Sequence, residues 1–175
     1  MKIVRRLAVY CGSAPGSSEV FAEATRATAT AMTKAGVDLV YGGGRVFGVI
    51  PQALVDIEVA HLGLTELHTV ANMHERKAKM TDLADAFLAL PGGIGTLDEL
   101  FEAWSWNALG YHKKPFCLLN VEGYWDGMVE FIDHATTSGF LSSSRRSQLL
   151  VAVTPEEALD LLDEAAAAAT QGMVW

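Results

Sequence analysis

The chain has 175 residues, enough for one domain with a sizeable core, and half of them are hydrophobic while 19% are charged, which excludes a disordered chain. A net charge of −8 argues against general nucleic-acid binding, which needs a basic face, and the one dense basic cluster, Arg76-Lys77-Ala78-Lys79, is too short to make a nucleic-acid stripe. No apolar run approaches the ~20 residues of a membrane helix, and no apolar targeting segment follows the basic N-terminal residues, so a cytoplasmic, soluble protein is expected.

Leu7-Ala8-Val9-Tyr10-Cys11 is a short apolar run ending in Gly12-Ser13, the pattern of a strand and a turn. Ser17 or Ser18 can cap a helix running to about Ala35, where Gly36 is a stop signal. Strands are predicted over 37–41, closed by Gly42-Gly43-Gly44, and over 47–50, closed by Pro51, with a weaker one over 67–70. Residues 74–83 read as a helix carrying the basic cluster. Ala86-Phe87-Leu88-Ala89-Leu90 reads as a buried strand, followed by a glycine-rich turn and an amphipathic helix from Leu97 to about Leu109. A strand over 115–119, a helix over 124–137 stopping near Gly139, and a strand over 149–153 follow. The last helix opens at Thr154-Pro155-Glu156-Glu157, with Thr as cap and Pro at the first helical position, and tails off after the 165–169 alanine run.

Apolar strands alternating with helices, and nearly continuous in hydrophobicity, predict a parallel, doubly wound α/β sheet covered on both faces. Ligands in such sheets bind at the carboxyl ends of strands. Ser13, Gly42–Gly44 and Gly92–Thr96 all follow strands, so they should converge on one edge, although Gly42–Gly44 is equally well read as a sharp turn alone. Cys11 and Cys117 sit in or beside strand-like runs and read as buried, reduced thiols. The absence of CxxC or HExxH spacing gives no metal site. One place resists the pattern. Neighbouring parallel strands need a crossover of a dozen or more residues, yet Gly44 and Phe47 are separated by Arg45 and Val46 alone. Either the two runs are not parallel neighbours, or they form a tight hairpin, or a segment is missing between Arg45 and Phe47, the reading preferred here.

The turn Pro91-Gly92-Gly93-Ile94-Gly95-Thr96 joins a strand end to a helix start, which offers an anion free N–H groups and the positive end of a helix dipole. Glu99 stands one turn further on. A phosphate cradle beside a carboxylate suggests chemistry on a phosphorylated small molecule. The plainer reading is that Thr96-Leu97-Asp98-Glu99 is a capping box in which Glu99 only closes the helix start, as Thr154-Pro155-Glu156-Glu157 is taken to do. Arg76, Lys77 and Lys79, taken alone, would form a solvated helix face.

Tyr41-Gly42-Gly43-Gly44, Met73-His74-Glu75-Arg76-Lys77 and Pro91-Gly92-Gly93-Ile94-Gly95-Thr96-Leu97-Asp98-Glu99, in this order and spacing, resemble the LONELY GUY (LOG) family. Its members are cytokinin riboside 5′-monophosphate phosphoribohydrolases, often mislabelled lysine decarboxylases. The resemblance extends to Trp106-Asn107-Ala108-Leu109-Gly110 and Lys114-Pro115, and so spans nearly the whole chain. It implies a single Rossmann-like domain over 1–175, a homodimer or larger homo-oligomer with active sites near the subunit interface, and no cofactor. The implied reaction is hydrolysis of the N-glycosidic bond of AMP or an N6-substituted AMP to free base and ribose 5-phosphate.

Carried over to matching positions, Arg76 and Glu99 resemble the catalytic pair, and Gly92, Gly93, Gly95 and Thr96 the phosphate cradle. Lys77, Asp98 and Glu58 resemble further substrate contacts. Family members continue the triple glycine into a glycine- and methionine-containing turn and an alanine-rich helix, which this chain lacks at the place the crossover length already marks. Asp98 stands where Glu is commoner, which shortens the acid's reach.

A carboxylate such as Glu99 can stabilise the oxocarbenium-like charge of glycosidic cleavage and deprotonate the attacking water. An arginine can clamp phosphate or hold that carboxylate. The competing reading is a binding module that carries nucleotides or molybdopterin-type cofactors on the same turn without cleaving them. A pyridoxal-phosphate decarboxylase is rejected, because that chemistry needs a cofactor-bearing lysine in a much larger site.

Overall fold

Seven strands carry the apolar runs: β1 (Arg6–Tyr10), β2 (Asp38–Val40), β3 (Val46–Pro51), β4 (Glu66–Val70), β5 (Ala86–Ala89), β6 (Phe116–Leu119) and β7 (Leu149–Ala152). The structure is a computed structural model and describes residues 2–40, 46–51 and 65–171. The strands form one sheet in the order β4-β3-β2-β1-β5-β6-β7, with every neighbouring pair parallel. Among the described residues the helices are α1 (Glu19–Ala35), α2 (Met73–Leu83), α3 (Ile94–Ala108), α4 (Asp126–Thr137), α5 (Ser143–Arg146) and α6 (Pro155–Gln171). None of them is long and apolar enough to cross a membrane.

The period-two alternation of side chains sorts the core into two layers. On one face Leu7, Leu88, Cys117 and Leu119 pack with Ala31 and Met32 of α1 and with Ala158 and Leu162 of α6. On the other, Ala8, Tyr10, Phe87, Phe116 and Leu118 pack with Met80 of α2, Leu100 and Trp104 of α3, and Ile132 of α4. Helices on both faces explain why all four residues of β5, and all four of β6, are buried. The doubly wound α/β sheet is therefore as expected. The sheet grows outward from β1 to β4, and the chain then returns to place β5 on the other side of β1. The β1–β5 pair is the topological switch point, where open α/β sheets bind ligands.

Local signals act as the residue types demand. Ser18 caps α1 by accepting from Val20 N, and Gly36 ends it at φ 67°, where a side chain would be strained. At the opposite edge of the sheet from the ligand side, Asp85 accepts from the Arg5 and Arg6 N–H groups, both at 2.9 Å, and pins the start of β1. Lys114 donates to the Thr81 and Asp82 carbonyls at the end of α2, where the helix dipole favours a cation. The one-turn helix α5 and a 3₁₀ turn, Val121–Gly123, were not expected from periodicity, since both are too short to show one.

β2 and β3 are parallel neighbours in register, Leu39 against Val46 and Val40 against Phe47. This removes the hairpin and the non-neighbour alternatives. Only residues 41–45 join them, fewer than a crossover of a dozen or more. Gly42–Gly44 and Glu58 lie outside the described residues.

Candidate active site

Tyr10 stands opposite Ala89 in the β1–β5 ladder, so the turns that leave these strands lie side by side. Leu90 N donates to Tyr10 O at 2.8 Å and Gly12 N to Pro91 O at 3.2 Å, which ties the two turns together. α3 begins immediately after the second turn, at Ile94, three residues earlier than the apolar pattern suggests. Its N-cap is Gly93, which makes no side-chain cap. The first-turn N–H groups and the positive end of the helix dipole are thus left for an external anion.

This start corrects the capping-box alternative. Thr96 is not the cap of α3 but a residue of its first turn, only 3% exposed, and Glu99 lies a further turn inside the helix. Two other sites show what a cap carboxylate does in this chain. Glu75 N donates to Asn72 Oδ1 while the Glu75 carboxylate accepts from Ala71 N at 2.9 Å. Glu157 N donates to Thr154 Oγ1 while its carboxylate accepts from Val153 N at 2.8 Å. Both carboxylates are held by backbone donors ahead of their helices, and Glu99 shares neither arrangement.

The glycines divide by space. A Cβ on Gly92 would lie 2.2 Å from Thr96 Oγ1, 2.7 Å from Gly12 N and 2.8 Å from Thr96 Cβ, so only glycine fits there. Gly93 and Gly95 have nothing within 4 Å of such an atom. They face open space, and bare backbone at these positions lets a ligand approach. Thr96 Oγ1 is buried beneath Gly92 and has no hydrogen-bond partner among the described residues.

A cavity of about 460 Å³ opens over the carboxyl ends of β1 and β5. Cys11, Gly12 and Ser13 line it from the end of β1. Met73, Arg76 and Met80 line it from α2, and Gly93, Ile94, Gly95, Thr96, Asp98 and Glu99 from the start of α3. The candidate pair Arg76 and Glu99 therefore shares one cavity with most of the glycine cradle. Gly92 is packed behind the cradle rather than lining it. Lys77 is not among the lining residues. Its ammonium bridges Asp98 at 3.1 Å and Glu102 at 2.8 Å, which fastens α2 to α3. Cys11 corrects an expectation: it is exposed and faces the cavity, whereas Cys117 is buried as expected.

Charge and burial set the protonation chemistry. Burial raises the Glu99 pKa above the ordinary glutamate value, the Arg76 charge opposes that rise, and neighbouring Asp98 adds to it. Partial burial beside the cavity and then Glu99 push up the Cys11 thiol, and deep burial followed by Glu99 pushes up the Tyr10 phenol. For Lys77 burial works against the charged form, but hydrogen bonds to Glu102 and Asp98 outweigh it and hold its pKa above the ordinary lysine value. The cavity thus combines an open helix N-terminus, a guanidinium, and a half-buried carboxyl whose proton affinity is raised, as suits an acid–base group. Met73, Met80 and Cys11 were missed from sequence. Met73 and Met80 share the α2 face that carries Arg76 at helical spacing, the one signal that would have found them.

Residues 30–162 match the family described as "Possible lysine decarboxylase". The cytokinin riboside 5′-monophosphate phosphoribohydrolase LOG of Oryza sativa subsp. japonica is 42% identical over 188 residues, covering 98% of this chain and 78% of its own. The cytokinin riboside 5′-monophosphate phosphoribohydrolase of Rhodococcoides fascians is 39% identical over 173 residues, covering 89% of this chain and 87% of its own. Among solved structures, a molybdenum cofactor binding protein from Rippkaea orientalis shares the fold at a TM-score of 0.62 and 16% identity, over 91% of this chain and 95% of its own.

Proposed function

This chain belongs to the LONELY GUY (LOG) family, and we propose that it hydrolyses the N-glycosidic bond of nucleoside 5′-monophosphates, AMP or N6-substituted AMP, to free base and ribose 5-phosphate. The observation that carries the reading is that Glu99 and Arg76 line the same cavity as the uncapped start of α3. The phosphate is held by the N–H groups of the first turn of α3, with Thr96 Oγ1 beneath them. The sugar then lies over Glu99. As the C1′–N bond breaks, the base leaves with the bonding electrons and takes up a proton from solvent to give the free base, while positive charge grows on the ribose. Glu99, ionised, stabilises that charge and takes a proton from the water whose oxygen bonds to C1′. Arg76 opposes the burial that would keep Glu99 neutral. Asp98 lines the cavity as a further substrate contact, held in place by Lys77.

Incubation with AMP and with isopentenyladenosine monophosphate, followed by chromatography, tests this. Free base from either is the expected result. Binding without release would favour the carrier reading that the fold shared with a molybdenum cofactor binding protein keeps in view.

Two further parts of the proposal rest on different observations. The chain is a homodimer: Phe131 and Phe140 are 64% and 90% exposed, and Phe140 borders an apolar groove of about 290 Å³ between α3 and α4 with Phe101, Trp104, Ile132 and Leu141. A segment is also missing between Arg45 and Phe47, because residues 41–45 alone link two parallel neighbours. The rice alignment agrees in kind, since its 188 positions exceed the 175 residues of this chain. Native mass spectrometry reads both. A monomer at 18.8 kDa is the mass of a chain without the segment, and a heavier one would show the segment to be present. A species at twice the monomer mass is expected, and its absence at micromolar concentration would count against the dimer. The proposed setting is the cytoplasm.

A further inference from the structure

Tyr124 lies 32 residues beyond Gly92 in the chain, yet its hydroxyl donates to the Gly92 carbonyl at 2.8 Å. Considerable structure goes into bringing it there. It follows the 3₁₀ turn after β6, in which Glu122 adopts φ 50°, the one non-glycine residue in the left-handed region among those described, and Gly123 follows at φ 71°. Such conformations cost energy and persist only where surrounding contacts over-determine them. Here Asn120 supplies those contacts: it accepts from Trp125 N at 2.7 Å and donates to Asp126 at 2.7 Å, closing the turn. The phenol ring is held edge-on by Phe21 at 5.6 Å and by Trp125 at 4.8 Å between centroids.

The consequence follows from peptide geometry. In a trans peptide the C=O and the following N–H point in opposite directions. A donor fixed on the Gly92 carbonyl therefore fixes the direction of the Gly93 N–H. Tyr124 lines a second, smaller cavity of about 320 Å³ on its own side of the turn, while Gly93 borders both this cavity and the larger one. Anchoring the carbonyl on the Tyr124 side turns the Gly93 N–H away from it, toward the side where the larger cavity lies. The flanking glycines give this peptide little stiffness of its own, so an external anchor matters more here than in an ordinary turn.

We infer that Tyr124 is a positioning residue for phosphate: by holding the Gly92 carbonyl it keeps the Gly93 N–H aimed at the anion that binds at the start of α3. This rests on the reading that the glycine turn binds the 5′-phosphate. Tyr124 touches neither the sugar nor the reacting bond, so its effect falls on binding.

Tyr124→Phe keeps the ring and its aromatic contacts and removes only the hydroxyl. KM for AMP should rise about five-fold, the worth of one hydrogen bond, with kcat within about two-fold of wild type. The inhibition constant of inorganic phosphate should rise by the same factor, and the melting temperature should hold. Unchanged KM and phosphate inhibition in an active enzyme would overturn this inference and leave the proposed reaction standing. A fall in kcat with a lowered melting temperature and unaltered KM would overturn it too, by showing a merely structural contact. A wild-type protein that neither releases base from AMP nor is inhibited or protected by phosphate would remove the proposed reaction and this inference together.

Discussion

Glu99→Gln abolishes release of adenine from AMP, lowering kcat by about 10²- to 10⁴-fold, while AMP still binds. Glutamine keeps the size of the side chain and its place on α3, so the helix N-terminus that holds the phosphate is unchanged. What is lost is the group that accepts the proton of water and faces the positive sugar. The pH profile of the wild type gives an independent check. The carboxylate must be ionised to act, so activity falls as pH drops through the Glu99 pKa. Burial has raised that pKa in the free protein, so the acid limb of kcat/KM lies above the ordinary glutamate range.

The same shift has a sign for stability. A carboxyl whose folded pKa exceeds its unfolded value holds its proton more tightly when folded. Stability then declines as pH rises through the unfolded value and levels off above the folded one. At neutral pH the glutamine variant should therefore melt no lower than wild type, and may be compared with it directly by calorimetry. Unchanged turnover would demote Glu99 to a bystander. Lost turnover with a lowered melting temperature would instead point to damaged folding.

Gly92→Ala should remove phosphate binding and activity together and destabilise the fold. The added carbon would stand 2.2 Å from Thr96 Oγ1 and 2.7 Å from Gly12 N. Neither neighbour can yield cheaply. Thr96 is buried in the first turn of α3, and Gly12 N is engaged with Pro91 O. Relief requires the β1 and β5 turns to part, which opens the cavity floor. Overpacking of this kind costs about 1–3 kcal/mol, or roughly 5 °C in melting temperature for a domain of this size. Gly95→Ala is the control for stability, because nothing lies within 4 Å of its added carbon and alanine suits a helix better than glycine. Its melting temperature should hold. Equal melting temperatures for the two variants would mean that the contact beneath Gly92 relaxes at no cost.

Most of the fold was legible because its signals are local. Apolar runs of four or five residues marked buried strands, Ser18 and Gly36 bounded α1, and Thr154 with Glu157 marked the start of α6. The misreading at α3 came from the same kind of signal. Thr96-Leu97-Asp98-Glu99 has the spacing of a cap, but the helix starts earlier, at Ile94, because Gly93 lets it begin with no side-chain cap at all. Cys11 read as buried from the apolar run it ends, yet it falls just past the strand end, where the chain emerges into the cavity.

By itself the sequence determined the alternation of strand and helix, the glycine turn at a strand end, and the residue types that a phosphate and a developing cation require. These depend on neighbours within a few positions, where dihedral preference and side-chain period decide the outcome. The tertiary structure alone decided which groups meet. Pairing of Tyr10 with Ala89 set two distant turns side by side, and Lys77 was taken up by Asp98 and Glu102 from another helix. Tyr124 reached Gly92 across 32 residues, and the raised Glu99 pKa came from burial that several elements create together. Contacts of that kind depend on distance through space, and no period or spacing along the chain encodes them.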